Sequence, residues 1–143
     1  MRHAPYIRNQ KNVLSLAILT CGLVLCGMTS SASGADLSGK WTGRWESGTK
    51  NHCGPLRAKF CAIDDDHYKV TFSGRFWTVF PFRYSVTLDV VGREGDKVFL
   101  SGSQKLLFFG TFCYEAEADS CNFTATYKAN RDHGTFTLSR SDH

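Results

Sequence analysis

A chain of 143 residues is of single-domain length. Its formal net charge of +4 falls to +1 once residues 1–35 are set aside, because three of the 17 Lys and Arg residues and none of the 13 acids lie there. No run of four basic residues occurs, so the balance argues against nucleic acid as a partner.

Residues 1–35 read as a signal peptide. Arg2, Arg8 and Lys11 precede an apolar run over residues 13–28, and TSSASGA follows, with Ser33 and Ala35 at −3 and −1 of a cut before Asp36. The run is about 16 residues, shorter than the roughly 20 that cross a bilayer as a helix. It reads as a cleaved leader, leaving no transmembrane span and one domain over residues 36–143. Cys21 and Cys26 follow Thr20 and Leu25 rather than the small residue that precedes a lipidated cysteine, and read as apolar filler. The expected location is secreted, or periplasmic or cell envelope.

After Asp36 apolar residues alternate with polar ones, and turn formers interrupt every eight to twelve positions. The inward sets run Trp41, Gly43, Trp45; then Leu56, Ala58, Phe60, Ala62; then Tyr68, Val70, Phe72, Phe76. They continue with Tyr84, Val86, Leu88, Val90; Val98, Leu100, Gly102; Phe112, Tyr114, Ala116; Phe123, Ala125, Tyr127; and Phe136, Leu138. Asp64, Asp65 and Asp66 mark one turn, and Pro81 ends a strand because it cannot donate to a ladder. Eight strands with short connections predict an all-β, antiparallel, up-and-down eight-stranded barrel, with a β-sandwich as the alternative. The outward residues are polar, which excludes an outer-membrane barrel.

Four cysteines remain in the domain: Cys53, Cys61, Cys113 and Cys121. In a small exported domain they predict two disulfides. Of the three pairings, the local one (Cys53–Cys61 and Cys113–Cys121) ranks first, with turns at Gly54-Pro55 and at Ala118-Asp119-Ser120. The absence of CxxC spacing argues against a metal site.

The segment LSGKWTG, residues 37–43, resembles the opening of lipocalins and avidins, the calycin barrels, in which Gly-x-Trp begins the first strand. Gly39-Lys40-Trp41 matches it. The resemblance implies that an Arg of the last strand packs across the Trp. Arg140, in TFTLSR and in phase with Phe136 and Leu138, is the matching position. The middle of the chain departs from both families, with no counterpart of the biotin-gripping set after Trp45 and no second lipocalin motif. LSGKW followed by NHCGPLRAKF is also similar to the start of bacterial periplasmic inhibitors of secreted metalloproteases, small disulfide-bearing barrels whose N-terminal segment enters the protease cleft. That resemblance implies the same role for residues 36–38. FPFRYSVTLDV and DHGTFTLSR resemble small secreted proteins of planctomycete-type bacteria, a likeness that implies no activity.

Residues able to do chemistry are scattered. His52 and His133 fall in loops at one end of the meander and His67 at the other, so no acid–base pair is expected among them. Asp64, Asp65 and Asp66 lack the Gly and distal Glu of a calcium loop. Glu115 and Glu117 share an outward strand face, where nothing shapes a substrate. No GxSxG, HExxH, phosphate-loop or dinucleotide motif occurs, and neither catalytic residues nor a cofactor nor a metal is expected.

Aromatics carry the clearest signal, at 13% of the chain. Inward Trp45, Tyr68, Tyr84, Tyr114 and Tyr127, with the other rings, either fill the barrel or line a ligand cavity with hydroxyls as orienting groups; filling ranks first. Alternation fails over RFWTVFPFRY and LLFF. Phe76, Trp77, Phe80 and Phe82, with Leu107, Phe108 and Phe109, are therefore expected at one rim, as a plug or as an exposed patch. The expected function is that of a secreted binding protein holding a small apolar or aromatic ligand, or a protein partner, at the barrel mouth. A secreted protease inhibitor and a structural envelope protein are the alternatives.

Overall fold

The computed structural model describes residues 34–77 and 79–141. The leader expected over residues 1–35, with Cys21 and Cys26, lies outside them apart from Gly34 and Ala35, and so does His143. Eight strands follow in chain order: β1 (Gly39–Ser47), β2 (Cys53–Ala62), β3 (His67–Phe76), β4 (Phe80–Glu94), β5 (Lys97–Leu106), β6 (Gly110–Ala118), β7 (Asn122–Lys128) and β8 (His133–Arg140). Each pairs antiparallel with the next and β8 pairs with β1, giving a closed up-and-down barrel. Closure leaves no strand edge unpaired, and the sandwich alternative is set aside.

Period-two alternation builds the wall. In β7, Phe123, Ala125 and Tyr127 are buried while Asn122, Thr124, Thr126 and Lys128 face out. The long β4 curls with the barrel through a bulge between Val90 and Gly92, which turns Val91 outward. Ala62, expected inward, is exposed, because β2 gives way there to the turn before β3.

The closing seam is narrow. A Cβ on Gly43 of β1 would lie 1.9 Å from the carbonyl oxygen of Thr137, and one on Gly134 of β8 would lie 2.0 Å from that of Glu46. Only glycine permits the two strands this approach.

The two ends of the barrel differ. The chain enters at the end that carries the β2–β3, β4–β5 and β6–β7 turns, which is rich in aspartate and is called the acidic end below. There Leu37 is buried and accepts a hydrogen bond at its carbonyl from Trp41 Nε1 at 2.9 Å. Trp41 packs on Phe60 and Phe123, at 5.6 and 6.5 Å between ring centroids. The opposite end, the rim, carries the β1–β2, β3–β4, β5–β6 and β7–β8 turns. Among the described residues no helix is long and apolar enough to cross a membrane.

Candidate functional site

Two neighbouring hairpin tips make half of the rim apolar. In the β3–β4 turn, Phe76 faces Phe80 in register, and Val79 N donates to the carbonyls of Phe76 and Trp77 at 3.2 and 2.7 Å. In the β5–β6 turn, Leu106 faces Gly110, and Phe109 N donates to the Leu106 carbonyl at 3.2 Å. Such short loops force left-handed backbone, which here falls on Trp77 (φ 47°) and Phe108 (φ 70°). For a bulky residue this costs on the order of 1–3 kcal/mol. The same side chains are also in solvent: Trp77 is 65%, Leu107 82% and Phe108 101% exposed. At Phe108, which makes no ring contact with another described residue, folding alone rewards neither the strain nor the exposure.

Phe76, Trp77, Phe80, Leu107, Phe108 and Phe109 thus share one rim. Val79, also largely exposed, joins them. Phe76 links the tips to the interior, with its ring 5.0 Å from Trp45, 4.6 Å from Phe82 and 6.3 Å from Phe109. The rings of Trp77 and His52 are edge-to-face at 5.6 Å, tying the β3–β4 tip to the β1–β2 loop. Phe82 takes the plugging rather than the exposed alternative. It is half-buried inside the mouth against Tyr84, because it keeps the inward phase of β4 and its ring covers Gly74.

Side chains occupy the interior along its length. Phe72 contacts Tyr84, Tyr114, Phe123 and Phe136 at 5.2–6.5 Å, and Tyr127 contacts Phe112 and Phe136. Tyr114 donates its hydroxyl to that of Tyr84 at 3.0 Å. Burial pushes Tyr114 up to about 12, and burial together with Tyr114 raises Tyr84 further. Tyr68 is buried at the acidic end, where its hydroxyl accepts from Leu37 N at 3.4 Å. The indole N–H of Trp45 is buried with no hydrogen-bond partner among the described residues.

The other half of the rim is polar. Asp132 accepts from Ser47 Oγ at 2.6 Å and from the Tyr127 hydroxyl at 3.1 Å, and Thr49 Oγ1 lies 3.1 Å from His133 Nδ1. Burial lifts the Asp132 carboxyl, but the hydrogen bonds from Ser47, Tyr127 and Thr49 outweigh it and hold it below its ordinary value. The cluster joins the β1–β2 and β7–β8 turns and borders an open groove of about 1020 Å³. Ser47 gives its proton to the Asp132 carboxylate, while the hydroxyl of Thr49 lies against the His133 imidazole. This network is invisible in the sequence, because Ser47 and Asp132 are 85 residues apart. His67, at the acidic end, pairs with Asp64 at 2.6 Å.

The expected local disulfides do not form, and all four cysteines are free and exposed. Cys53 and Cys61 lie near opposite ends of the uninterrupted β2, with no turn at Gly54-Pro55. Eight residues of strand separate them by roughly 26 Å, far beyond disulfide reach. The turn near Ala118 does exist, but it leaves Cys113 five residues up β6 from the strand end. Cross-pairing fails as well, since β2 and β6 occupy opposite walls. Among the described residues no group of three or more His, Cys, Asp or Glu converges as a metal site.

Charge divides by end, a feature the near-zero domain total conceals. Exposed Arg75, Arg83 and Lys105 stand on the outer wall just behind the two apolar tips and make no ion pair with another described residue. Asp64, Asp65, Asp66, Asp96 and Asp119 occupy the turns of the other end. Counting charges by turn parity along the meander would have found this division. Comparison with protein-family models, curated proteins and solved structures finds no match to this chain.

Proposed function

We propose that this protein is an exported, non-catalytic binding protein of calycin-like type whose site is the apolar half of the rim. The observation that carries this reading is the coincidence of left-handed backbone with full exposure at Phe108 and with 65% exposure at Trp77. A fold under no other constraint places Gly or Asn at such positions. The ring-filled interior favours binding at the mouth over binding within the barrel. Gly39-Lys40-Trp41 and the Arg140–Trp41 contact support the calycin-like assignment. The inhibitor alternative needs a free N-terminal segment, whereas Leu37 is buried and Arg140 holds the carbonyls of Asp36 and Ser38.

The test is binding of an uncharged apolar dye, N-phenylnaphthylamine, to the folded protein. Leu107→Ser with Phe108→Ser is expected to remove most of the fluorescence gain while circular dichroism stays unchanged. Undiminished dye binding in that variant removes the rim as the site.

A further inference from the structure

We infer that the apolar rim docks on an anionic lipid surface, an inference that rests on the rim being the binding site. Three independent features converge. The tips are convex: Trp77, Val79, Phe80, Leu107, Phe108 and Phe109 stand out on two separate hairpins. Six such side chains fall well short of the roughly 20–30 residues a side of a standard protein interface. A fluid bilayer interface closes around separate protrusions that a rigid partner would have to match with two sockets, and Trp, Phe and Leu are the residues that interfacial elements bury at that depth.

The second feature is charge. Arg75, Arg83 and Lys105 form a collar behind the tips, at the level where lipid phosphates lie once the rings are inserted. With no carboxylate partner among the described residues, these cations are available to phosphates. The third is polarity of the whole body. Asp64, Asp65, Asp66, Asp96 and Asp119 lie in the turns of the other end, against Asp132 alone in the described turns of the rim, so an anionic surface attracts the rim and repels the far pole, which fixes the orientation.

The chain enters the barrel at the acidic end, where Ala35 N donates to the Asp96 carbonyl at 3.2 Å. Docking by the rim therefore turns the N-terminal segment away from the bound surface.

The test is partition of the full chain, purified from cells that express it, between buffer and vesicles. One set is phosphatidylcholine alone and the other phosphatidylcholine with phosphatidylglycerol. Binding is expected for the mixed vesicles and to weaken as salt rises. Each cation near such a surface is worth roughly fivefold, so Arg75→Gln, Arg83→Gln and Lys105→Gln together are expected to weaken it about 100-fold. Trp41 and Trp45 are buried, so quenching by brominated lipid reports on Trp77, the remaining tryptophan. Phe108→Gly suits the left-handed backbone and serves as a rim variant that folds. Binding that ignores anionic lipid and salt, or that survives Phe108→Gly together with Leu107→Ser, overturns the inference. If vesicles are not bound while the rim still binds dye, the lipid inference falls alone; if rim variants leave dye binding intact, both fall.

Discussion

Arg140, in the last strand, lies over the indole of Trp41 in the first, with 4.6 Å from the guanidinium carbon to the ring centroid. The same guanidinium donates to the carbonyls of Asp36, Ser38 and Ser120 at 2.5, 2.7 and 2.6 Å. One side chain thus holds the entering segment, the β6–β7 turn and the β1–β8 seam. Arg140→Ala is expected to cost about 2–4 kcal/mol in urea unfolding, from lost stacking and charge-assisted hydrogen bonds. Arg140→Lys should recover less than half of that, since an ammonium cannot reproduce the planar fork. An unchanged midpoint would show that the seam closes without it.

The seam itself is sensitive to a single methyl group. Gly43→Ala and Gly134→Ala each drive a Cβ into a backbone carbonyl of the facing strand. Each is expected to lower stability by about 3 kcal/mol or more. Gly95→Ala, in the open β4–β5 turn at φ 62°, meets no neighbouring atom and should cost only about 1 kcal/mol of backbone strain. Thermal unfolding of the three variants checks the order.

At the rim, stability and binding should separate. Phe108 is fully exposed at φ 70°, so Phe108→Gly removes strain without removing buried surface. Its unfolding free energy is expected to match or exceed the parent's, within about 1 kcal/mol. A loss of more than about 2 kcal/mol would mean that the ring packs in the folded protein.

The cysteines give a chemical test of the fold. With four free, exposed thiols, native protein purified without reductant and treated with iodoacetamide should take up a label at each of Cys53, Cys61, Cys113 and Cys121. Serine at all four positions is expected to change stability by less than about 1 kcal/mol. A Cys53–Cys61 cross-link found by peptide mapping would contradict the unbroken β2.

Acid titration should reveal the His67–Asp64 pair. The Asp64 hydrogen bond raises His67 above 6.5, and His67 in turn holds Asp64 below 3.8. Because the folded His67 pKa is raised, its contribution is fully present below pH 6.5 and is lost as pH rises through the folded value. Because the folded Asp64 pKa is lowered, its contribution is present above pH 3.8 and is lost as pH falls through the folded value. The ring C2 proton of His67 should titrate above 6.5 by NMR, and Asp64→Asn should bring the midpoint down. A midpoint indifferent to Asp64→Asn would falsify the pairing.

Much of the fold was legible because strand physics is local. Alternation at period two marks Trp41 and Trp45, or Phe123, Ala125 and Tyr127, as inward without reference to anything distant, and short turns leave a meander as the simplest path. Turn parity even places the 76–82 and 106–109 segments at one end. Other features depend on closure and register. The Cys53–Cys61 expectation failed because equal spacing says nothing about whether the chain turns inside it, and β2 runs straight through Gly54-Pro55. Phe82 turned inward because β4 kept its phase beyond Pro81, a choice settled by pairing with β3.

The amino-acid sequence by itself determined the strands, their buried faces and the presence of two apolar turns, since each follows from neighbouring residues. Only the tertiary structure decided that Phe76 meets Phe109, that Ser47 and Tyr127 converge on Asp132, and that cations collect behind one end while aspartates collect at the other. Those relationships exist only once β8 hydrogen-bonds to β1 and closure brings residues tens of positions apart to fixed places on one ring.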